Sequence, residues 1–295
     1  MKRRQFVKTG TLILGGLPSE TAKAQQAGVK PSLILGLMTD IHYADKSPRG
    51  NRHYRESLAK AKEAVDLFKE KGASALICLG DLIDEAPTVE EEIAFLNRIS
   101  RVLDQSALPR YHVLGNHCVS TLTKEDFFAH SGTSVKKGYY SLDLYGFHLV
   151  ILDACFNNEM ASYGRNNFKW TDPNIPPAQL TWLTKDLNQT ALPVVVFIHQ
   201  RIDLEPENHY AVNQAPEVRK ILQRSGKVKA VFQGHSHRNE LQTIDAISYC
   251  TLQAMVEGTG ASQNGYALLE LYADGSLKLE GFRSQKTRAF SSSET

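Results

Sequence analysis

Cysteine is scarce, four in 295 residues, and tryptophan scarcer still at two. A chain of this length buries roughly three quarters of its unfolded surface without covalent staples, so a disulfide-built miniature fold is excluded. Long apolar runs are absent as well: none reaches the ~20 residues that span a bilayer, and no stable membrane anchor is expected. No repeat recurs at a fixed period, which excludes solenoids and propellers. Charge of one sign is missing too, with 34 Lys plus Arg against 32 Asp plus Glu. What excess exists is local. Lys2, Arg3, Arg4, Lys8 and Lys23 face only Glu20 in the first 24 residues, a net +4 within a chain of net +2, which leaves the body at −2. A slightly acidic body without a Lys/Arg stripe lacks the footprint for long nucleic acid. With 42% hydrophobic and 22% charged residues the composition is that of an ordinary globular domain, neither disordered nor collagen-like.

The amino terminus has the three-part order of a signal peptide: basic residues 2–8, a short apolar stretch from Thr9 to Leu17, and the small-x-small site Ala22-Lys23-Ala24. Adjacent Arg3 and Arg4 with Phe6 and Lys8 resemble the twin-arginine signal, which is read by a receptor and exports folded protein. The expectation is cleavage after Ala24, a short linker over 25–30, export by the twin-arginine machinery, and a periplasmic or secreted mature protein. No cysteine follows the apolar stretch, so no lipid anchor is expected.

Beyond Pro31 the hydrophobic pattern alternates strands and helices. Leu33–Leu37, Ala75–Leu79 and Arg110–Leu114 read as buried strands, with helices over Ser57–Lys71 and from a capping-box pattern at Thr88 and Glu91. Tyr139–Leu144 and Phe147–Asp153 form a hairpin about Tyr145-Gly146. A polar loop over 156–176 precedes a helix near Ala178–Leu187, a strand Val194–Ile198, a helix near Pro216–Gln223, and a strand Val228–Phe232. The rest is mostly strand, with Tyr266–Leu271 and Ser276–Phe282 joined at Asp274-Gly275. Two mixed sheets packed face to face with helices outside accommodate this order, as one domain over 31–285 and a tail over 286–295.

Chemistry concentrates at the strand ends. Of ten histidines, His42, His117, His199, His235 and His237 follow predicted apolar strands, together with Asp40, Asp81 and Asn116. Side chains at the carboxyl ends of strands converge on one rim of a sheet. Carboxylates, an amide and imidazoles without an obligatory thiolate suit divalent Mn, Fe, Zn or Mg. Histidines 53, 112, 130, 148 and 209 stand in no motif and read as surface or core residues.

In order the motifs are Asp40-x-His42, Gly80-Asp81-x-x-Asp84, Gly115-Asn116-His117, a lone His199, and Gly234-His235-Ser236-His237. One alone is weak, but five in sequence are specific, and together they resemble the calcineurin-like metallophosphoesterase superfamily. The resemblance implies a four-layer α-β-β-α sandwich and two divalent ions. Asp40, His42, Asp81 and His237 would hold one ion; Asp81, Asn116, His199 and His235 would hold the other, with Asp81 bridging. Two cations roughly 3.5–4 Å apart turn a shared water into hydroxide at neutral pH and neutralise phosphoryl charge. By the same resemblance His117 assists the leaving group, because an alkoxide leaves poorly without a proton. Asp84 reads as a residue that steadies a ligand or caps a helix.

Tyr43-Ala44-Asp45, Arg52-x-Tyr54-Arg55-x-Ser57-Leu58 and Leu79–Asp84 further resemble the branch of the Mn-dependent ADP-ribose/CDP-alcohol diphosphatases, as do Glu257-Gly258 and Asn264–Ala267. That branch implies a small phosphodiester or nucleotide-pyrophosphate substrate. Two departures are His42, where members often carry Gln, and Cys118, where Asp or Glu is usual. Tyr43, Arg52, His53, Tyr54 and Arg55 could stack a base or clamp a second phosphate, or Tyr54 and Arg55 merely start the helix and pack its first turn. The 156–176 loop, with Asn157, Asn158, Tyr163 and Trp170, is either a substrate lid or an ordered surface loop.

Other readings are a phosphomonoesterase of the same fold, a metal-binding scaffold, and a nuclease, the last disfavoured by charge. A purple acid phosphatase would need a tyrosinate where Asp84 stands, and a 5′-nucleotidase a further domain where only residues 241–295 remain. Cys78 and Cys250 fall in strands and are expected as buried thiols. Cys118 and Cys155 follow strand ends near the site and could form a bridge in an oxidising compartment, among three full pairings that four cysteines allow.

Overall fold

The computed structural model describes residues 30–290. The expected signal peptide and all but the last residue of the linker lie outside the described residues. In chain order the elements are β1 (Leu33–Met38), α1 (Ser57–Glu70), β2 (Ala75–Leu79), α2 (Val89–Asp104), β3 (Arg110–Val113), α3 (Lys124–His130), β4 (Tyr140–Leu144) and β5 (Phe147–Ile151). They continue with α4 (Pro177–Gln189), β6 (Val194–Phe197), α5 (Ala215–Ser225), β7 (Val228–Gln233), β8 (Glu240–Ile244), β9 (Ile247–Thr251), β10 (Gly265–Leu271), β11 (Leu277–Arg283) and β12 (Arg288–Phe290).

Period-two alternation in the strands decides the layers. Leu33, Leu35 and Leu37 of β1, with Ala75, Ile77 and Leu79 of β2, pack against Leu149, Ile151, Val195 and Phe197 of the other sheet. The intervening Ile34, Leu76 and Cys78 face outward and meet Ala61, Val65 and Phe68 of α1 and Leu96, Ile99 and Leu103 of α2. On the opposite outer face Val194, Val196 and Val231 receive Leu180, Leu183 and Leu187 of α4 and Val218 and Leu222 of α5. Helices, sheet, sheet and helices are thus stacked as the four-layer α-β-β-α sandwich, central strands such as β2, β5 and β6 being buried throughout because both faces are covered.

One sheet has the order β12-β11-β10-β1-β2-β3 and the other β4-β5-β6-β7-β9-β8. β1, β2 and β3 run parallel, as do β5, β6, β7 and β9. Antiparallel strands finish both sheets, β10 to β12 in one and β4 and β8 in the other. The hairpin at Tyr145-Gly146 forms with both residues left-handed, at φ 47° and 86°.

Several details differ from the sequence reading. Helix α3 was not expected, although its capping box is complete: the Thr123 side chain accepts from the Asp126 N–H, and Asp126 in turn accepts from the Thr123 N–H. At α2 only half a box forms, since Thr88 accepts from the Glu91 N–H without a return bond. The domain also runs past residue 285, because β12 pairs with β11 at the sheet edge. All four cysteines are free and buried, so no Cys118–Cys155 bridge forms. Burial pushes Cys78, Cys118 and Cys250 up to about 12, which makes them inert thiols.

Candidate metal centre

The parallel strands of both sheets end on one edge. Asp40 and His42 follow β1, Asp81 follows β2, Asn116 and His117 follow β3, His199 follows β6, and His235 and His237 follow β7. Five of these turn on strained backbone: Asp40, His42, Asp81, His235 and His237 all have φ between 45° and 68°. Non-glycine residues seldom occupy this region, and such residues cluster where function requires a fixed side-chain direction. The motif glycines leave room for them. A Cβ on Gly115 would stand 2.2 Å from Asp81 Oδ1, one on Gly80 2.2 Å from the His199 ring, and one on Gly234 2.6 Å from Asp40 Oδ2.

Asp40 and Asp81 are each used asymmetrically. Asp40 Oδ2 accepts from the Thr39 hydroxyl (2.7 Å) and the His235 N–H (3.1 Å), which leaves Oδ1 free. That oxygen lies 3.3 Å from His237 Nε2 and 3.7 Å from His42 Nε2. Asp81 Oδ1 accepts from the His117 N–H at 2.8 Å. Its Oδ2 lies between the two halves of the site, 3.5 Å from His42 Nε2 and 3.1 Å from His199 Nε2. Asp81 Oδ2 is thus the carboxylate oxygen that faces both groups of imidazoles. Asp40, His42 and His237 form one cluster of converging donors, and Asp81, His199 and His235 another.

The imidazoles are oriented from behind. His42 Nδ1 meets Asp84 Oδ2 at 2.9 Å, His237 Nδ1 meets Glu257 Oε1 at 2.6 Å, and His199 Nδ1 meets the Leu79 carbonyl at 2.8 Å. Each contact ties down Nδ1 and turns Nε2 inward, the usual support for a metal-bound histidine. Of thirteen buried side-chain atoms without a hydrogen-bond partner among the described residues, five lie at this edge: Asp40 Oδ1, Asn116 Oδ1, His117 Nδ1, His199 Nε2 and His235 Nε2. Orphaned polar atoms at this depth are costly unless an ion completes them. Four of the five belong to expected ligands, so the residues fit two divalent cations.

Electrostatics agree. Burial depresses His199, but the Asp81 and Asp40 carboxylates outweigh it and lift the imidazole to about 9. Burial likewise opposes His237, which Asp40 and Glu257 raise to about 9. His235, buried and beside His199, drops to about 3. Without cations the carboxylates draw protons onto their neighbours; the cluster calls for positive charge. His117 is held below its ordinary value by burial, against the pull of Asp81 and Asp84.

Asp84 takes the supporting place expected of it, on His42, and also pairs with Lys46. The other proposed substrate residues divide. Arg52 and Tyr54 line the pocket above the centre, which has a volume of about 530 Å³. Tyr43 does not line it: the ring is buried and its hydroxyl accepts from Arg98 at 3.1 Å. Arg55 pairs with Asp45 at 2.6 Å on the surface, and Asn157 is spent capping its own turn by accepting from the Glu159 and Ala161 N–H groups. The 156–176 loop is hydrogen-bonded along its length, and it contributes Phe168 and Trp170 to the pocket wall.

Sequence reasoning missed Lys46, Arg49, Glu85 and Tyr210, which also line that wall. It noted Glu257 only as part of a resemblance, and pairing with His237 is its structural role.

This edge defines a hydrolytic, dinuclear metal-dependent phosphoesterase. The profile of the calcineurin-like phosphoesterase family matches residues 35–239, and the chain belongs to that family. A manganese-dependent ADP-ribose/CDP-alcohol diphosphatase of Oryza sativa subsp. japonica is 25% identical over 83% of this chain and 90% of its own length. The protein of the same name from Arabidopsis thaliana is 27% identical, over 34% of each chain. A dimetal phosphatase from Danio rerio superposes with a TM-score of 0.77 at 20% identity, covering 89% of this chain and all of that one.

Proposed function

We propose that the chain hydrolyses a phosphodiester or the pyrophosphate bond of a small nucleotide compound, with His117 delivering a proton to the departing oxygen. The observation that carries this reading is the charge layout of the pocket. Its floor is the donor cluster, and Lys46, Arg49 and Arg52 stand on its wall. Lys46 and Arg52 stand beside Asp84, and Glu85 shares the wall. Arg49, however, has no carboxylate partner among the described residues and offers a place for anionic charge beyond the phosphoryl group on the floor, more than a simple monoester requires. Two bound divalent cations would supply Lewis-acid neutralisation of phosphoryl charge and a lowered pKa for water. Asp40, His42, Asp81 and His237 would hold one, and Asp81, Asn116, His199 and His235 the other.

The protein's own groups do the rest. Asp81 locks the β3 turn through the His117 N–H. The His117 ring stands edge-on to His42 at 4.8 Å and against Phe168 at 6.1 Å, which fixes its direction. Its Nδ1 lies 3.8 Å from Asp84 Oδ1, a carboxylate that pulls toward the protonated imidazole against the burial that holds His117 below its ordinary value. The name of the rice relative supports a diphosphate substrate. The test is release of phosphate or nucleoside monophosphate from ADP-ribose, CDP-choline, bis-p-nitrophenyl phosphate and p-nitrophenyl phosphate by Mn²⁺-loaded protein. Turnover of p-nitrophenyl phosphate alone would replace this reading with a phosphomonoesterase, and none at full metal occupancy with a scaffold.

Export by the twin-arginine machinery to the periplasm or beyond forms part of the proposal, supported by the basic, apolar and small-residue order of residues 2–24. Fractionation of cells expressing the full chain should find it outside the cytoplasm. The Arg3→Lys/Arg4→Lys double variant should be retained inside.

A further inference from the structure

The pocket has two unlike ends. Trp170 and Tyr210, 40 residues apart in the chain, meet at 5.9 Å between ring centroids with a 44° tilt. Both stand against the His235 ring, at 6.1 Å and 5.7 Å. Trp170 is 44% exposed, one of three large apolar side chains so exposed among the described residues. Its turn is nevertheless pinned: the Tyr163 hydroxyl donates to the Lys169 and Asp172 carbonyls at 3.2 and 3.1 Å, and Asn213 donates to Asp172 Oδ1 at 2.6 Å. An indole held open to a polar pocket on a fastened turn is a preorganised stacking face.

At the other end Arg49 and Arg52 exchange backbone hydrogen bonds, each at 3.1 Å, so one tight turn carries both guanidiniums. Arg52 lies 3.9 Å from Asp84, which supports His42. The Arg49 guanidinium makes no hydrogen bond or ion pair among the described residues and lines the pocket. A planar surface at the His235 end, and at the His42 end one unpaired guanidinium, Arg49, beside Arg52 on Asp84, are the features that recognise a nucleobase and a second phosphate.

We infer that the pocket seats a nucleoside diphosphate compound in one direction, the base stacked on Trp170 and Tyr210 and the phosphate farther from the nucleoside on Arg49 and Arg52. The inference rests on the hydrolytic reading only in placing the nucleoside-side phosphate over the metal centre. The aromatic recognition therefore differs from that of the Tyr43–Arg55 segment, in which Tyr43 is buried away from the pocket and Tyr54, which lines it, has its ring covered by the Lys46 ammonium at 4.5 Å.

Calorimetric titration of Mn²⁺-loaded protein with AMP, ribose 5-phosphate and ADP tests it, because the first two differ only by the base. AMP should bind about 5- to 150-fold more tightly than ribose 5-phosphate, the range expected of one base–aromatic stack. Trp170→Ala should abolish that ratio with ribose 5-phosphate affinity unchanged, and Trp170→Phe should restore most of it. Arg49→Ala should weaken ADP more than AMP. Equal binding of AMP and ribose 5-phosphate by the unaltered protein overturns the base seat, even if ADP-ribose is hydrolysed. So does an equal loss of both ligands in Trp170→Ala. An AMP preference lost in Trp170→Ala, in protein that hydrolyses no ADP-ribose, supports the base seat and overturns the hydrolytic reading alone.

Discussion

Replacing Gly115 with alanine isolates steric support of the metal centre from backbone strain. Gly115 has φ −103° and ψ 166°, extended backbone that alanine adopts freely, so the entire effect must come from the added methyl. That methyl would lie 2.2 Å from Asp81 Oδ1, 2.4 Å from the Asp81 backbone nitrogen and 2.8 Å from its Cγ. Ordinary contact begins near 3.4 Å, so the Asp81 turn and β3 must part by roughly 1 Å. The backbone nitrogen cannot move away as the end of a flexible side chain would. Overpacking of this kind costs about 1–3 kcal/mol of stability. A displacement of about 1 Å at Asp81, the expected bridging ligand, should lower kcat/KM by on the order of 100-fold. The assay pairs metal content after dialysis with hydrolysis of bis-p-nitrophenyl phosphate. Gly146→Ala is the control: it adds strain at φ 86° with nothing within 4 Å of the new methyl. It should lose only about 1 kcal/mol of stability and keep metal and turnover. If Gly115→Ala retains two equivalents of metal and the original kcat/KM, the reasoning from Asp81 fails.

Glu257→Gln keeps the shape of the side chain but weakens its hold on His237 Nδ1. It should cut affinity for one of the two ions about 10- to 100-fold while the other stays bound, as read by metal titration. His117→Ala should keep both ions and lower kcat by about 10²–10⁴, with a smaller deficit on p-nitrophenyl esters than on alkyl esters, since nitrophenolate departs without a proton. An equal deficit on both ester types would remove His117 as the acid. His112 supplies the pH test, because burial, with Arg110 adding to it, depresses its imidazole to about 3. The unfolded chain takes up that proton below about 6.5, so the stability is complete above this pH and is lost as pH falls toward 3, by up to about 5 kcal/mol. In chelated protein His112→Leu should flatten the acid limb of urea-unfolding midpoints between pH 7 and 4. An unchanged slope would show that His112 is not the group responsible.

Much of this protein is written locally. The alternation of Leu33, Leu35 and Leu37 with Ile34 specifies a strand covered on both faces, and the spacing of Ala61, Val65 and Phe68 specifies a helix that covers one of them. Side chains after such strands share an edge because parallel strands must, so Asp40, Asp81, Asn116, His199 and His235 were legible as a cluster before any geometry was known. Tertiary structure alone decided the rest. Tyr43 looks like a pocket aromatic in sequence and is buried, while Trp170, in a loop that reads equally as a lid or as surface, meets Tyr210 from a distant loop on a turn that Tyr163 and Asn213 fasten. Glu257 reaches His237 across 20 residues, and Asp84 reaches His42 across 42. Periodicity records which face of an element is buried; it carries no record of which distant side chain completes a hydrogen bond. That choice belongs to the packed sheets, where an unpaired buried donor must find its partner wherever the fold has put it.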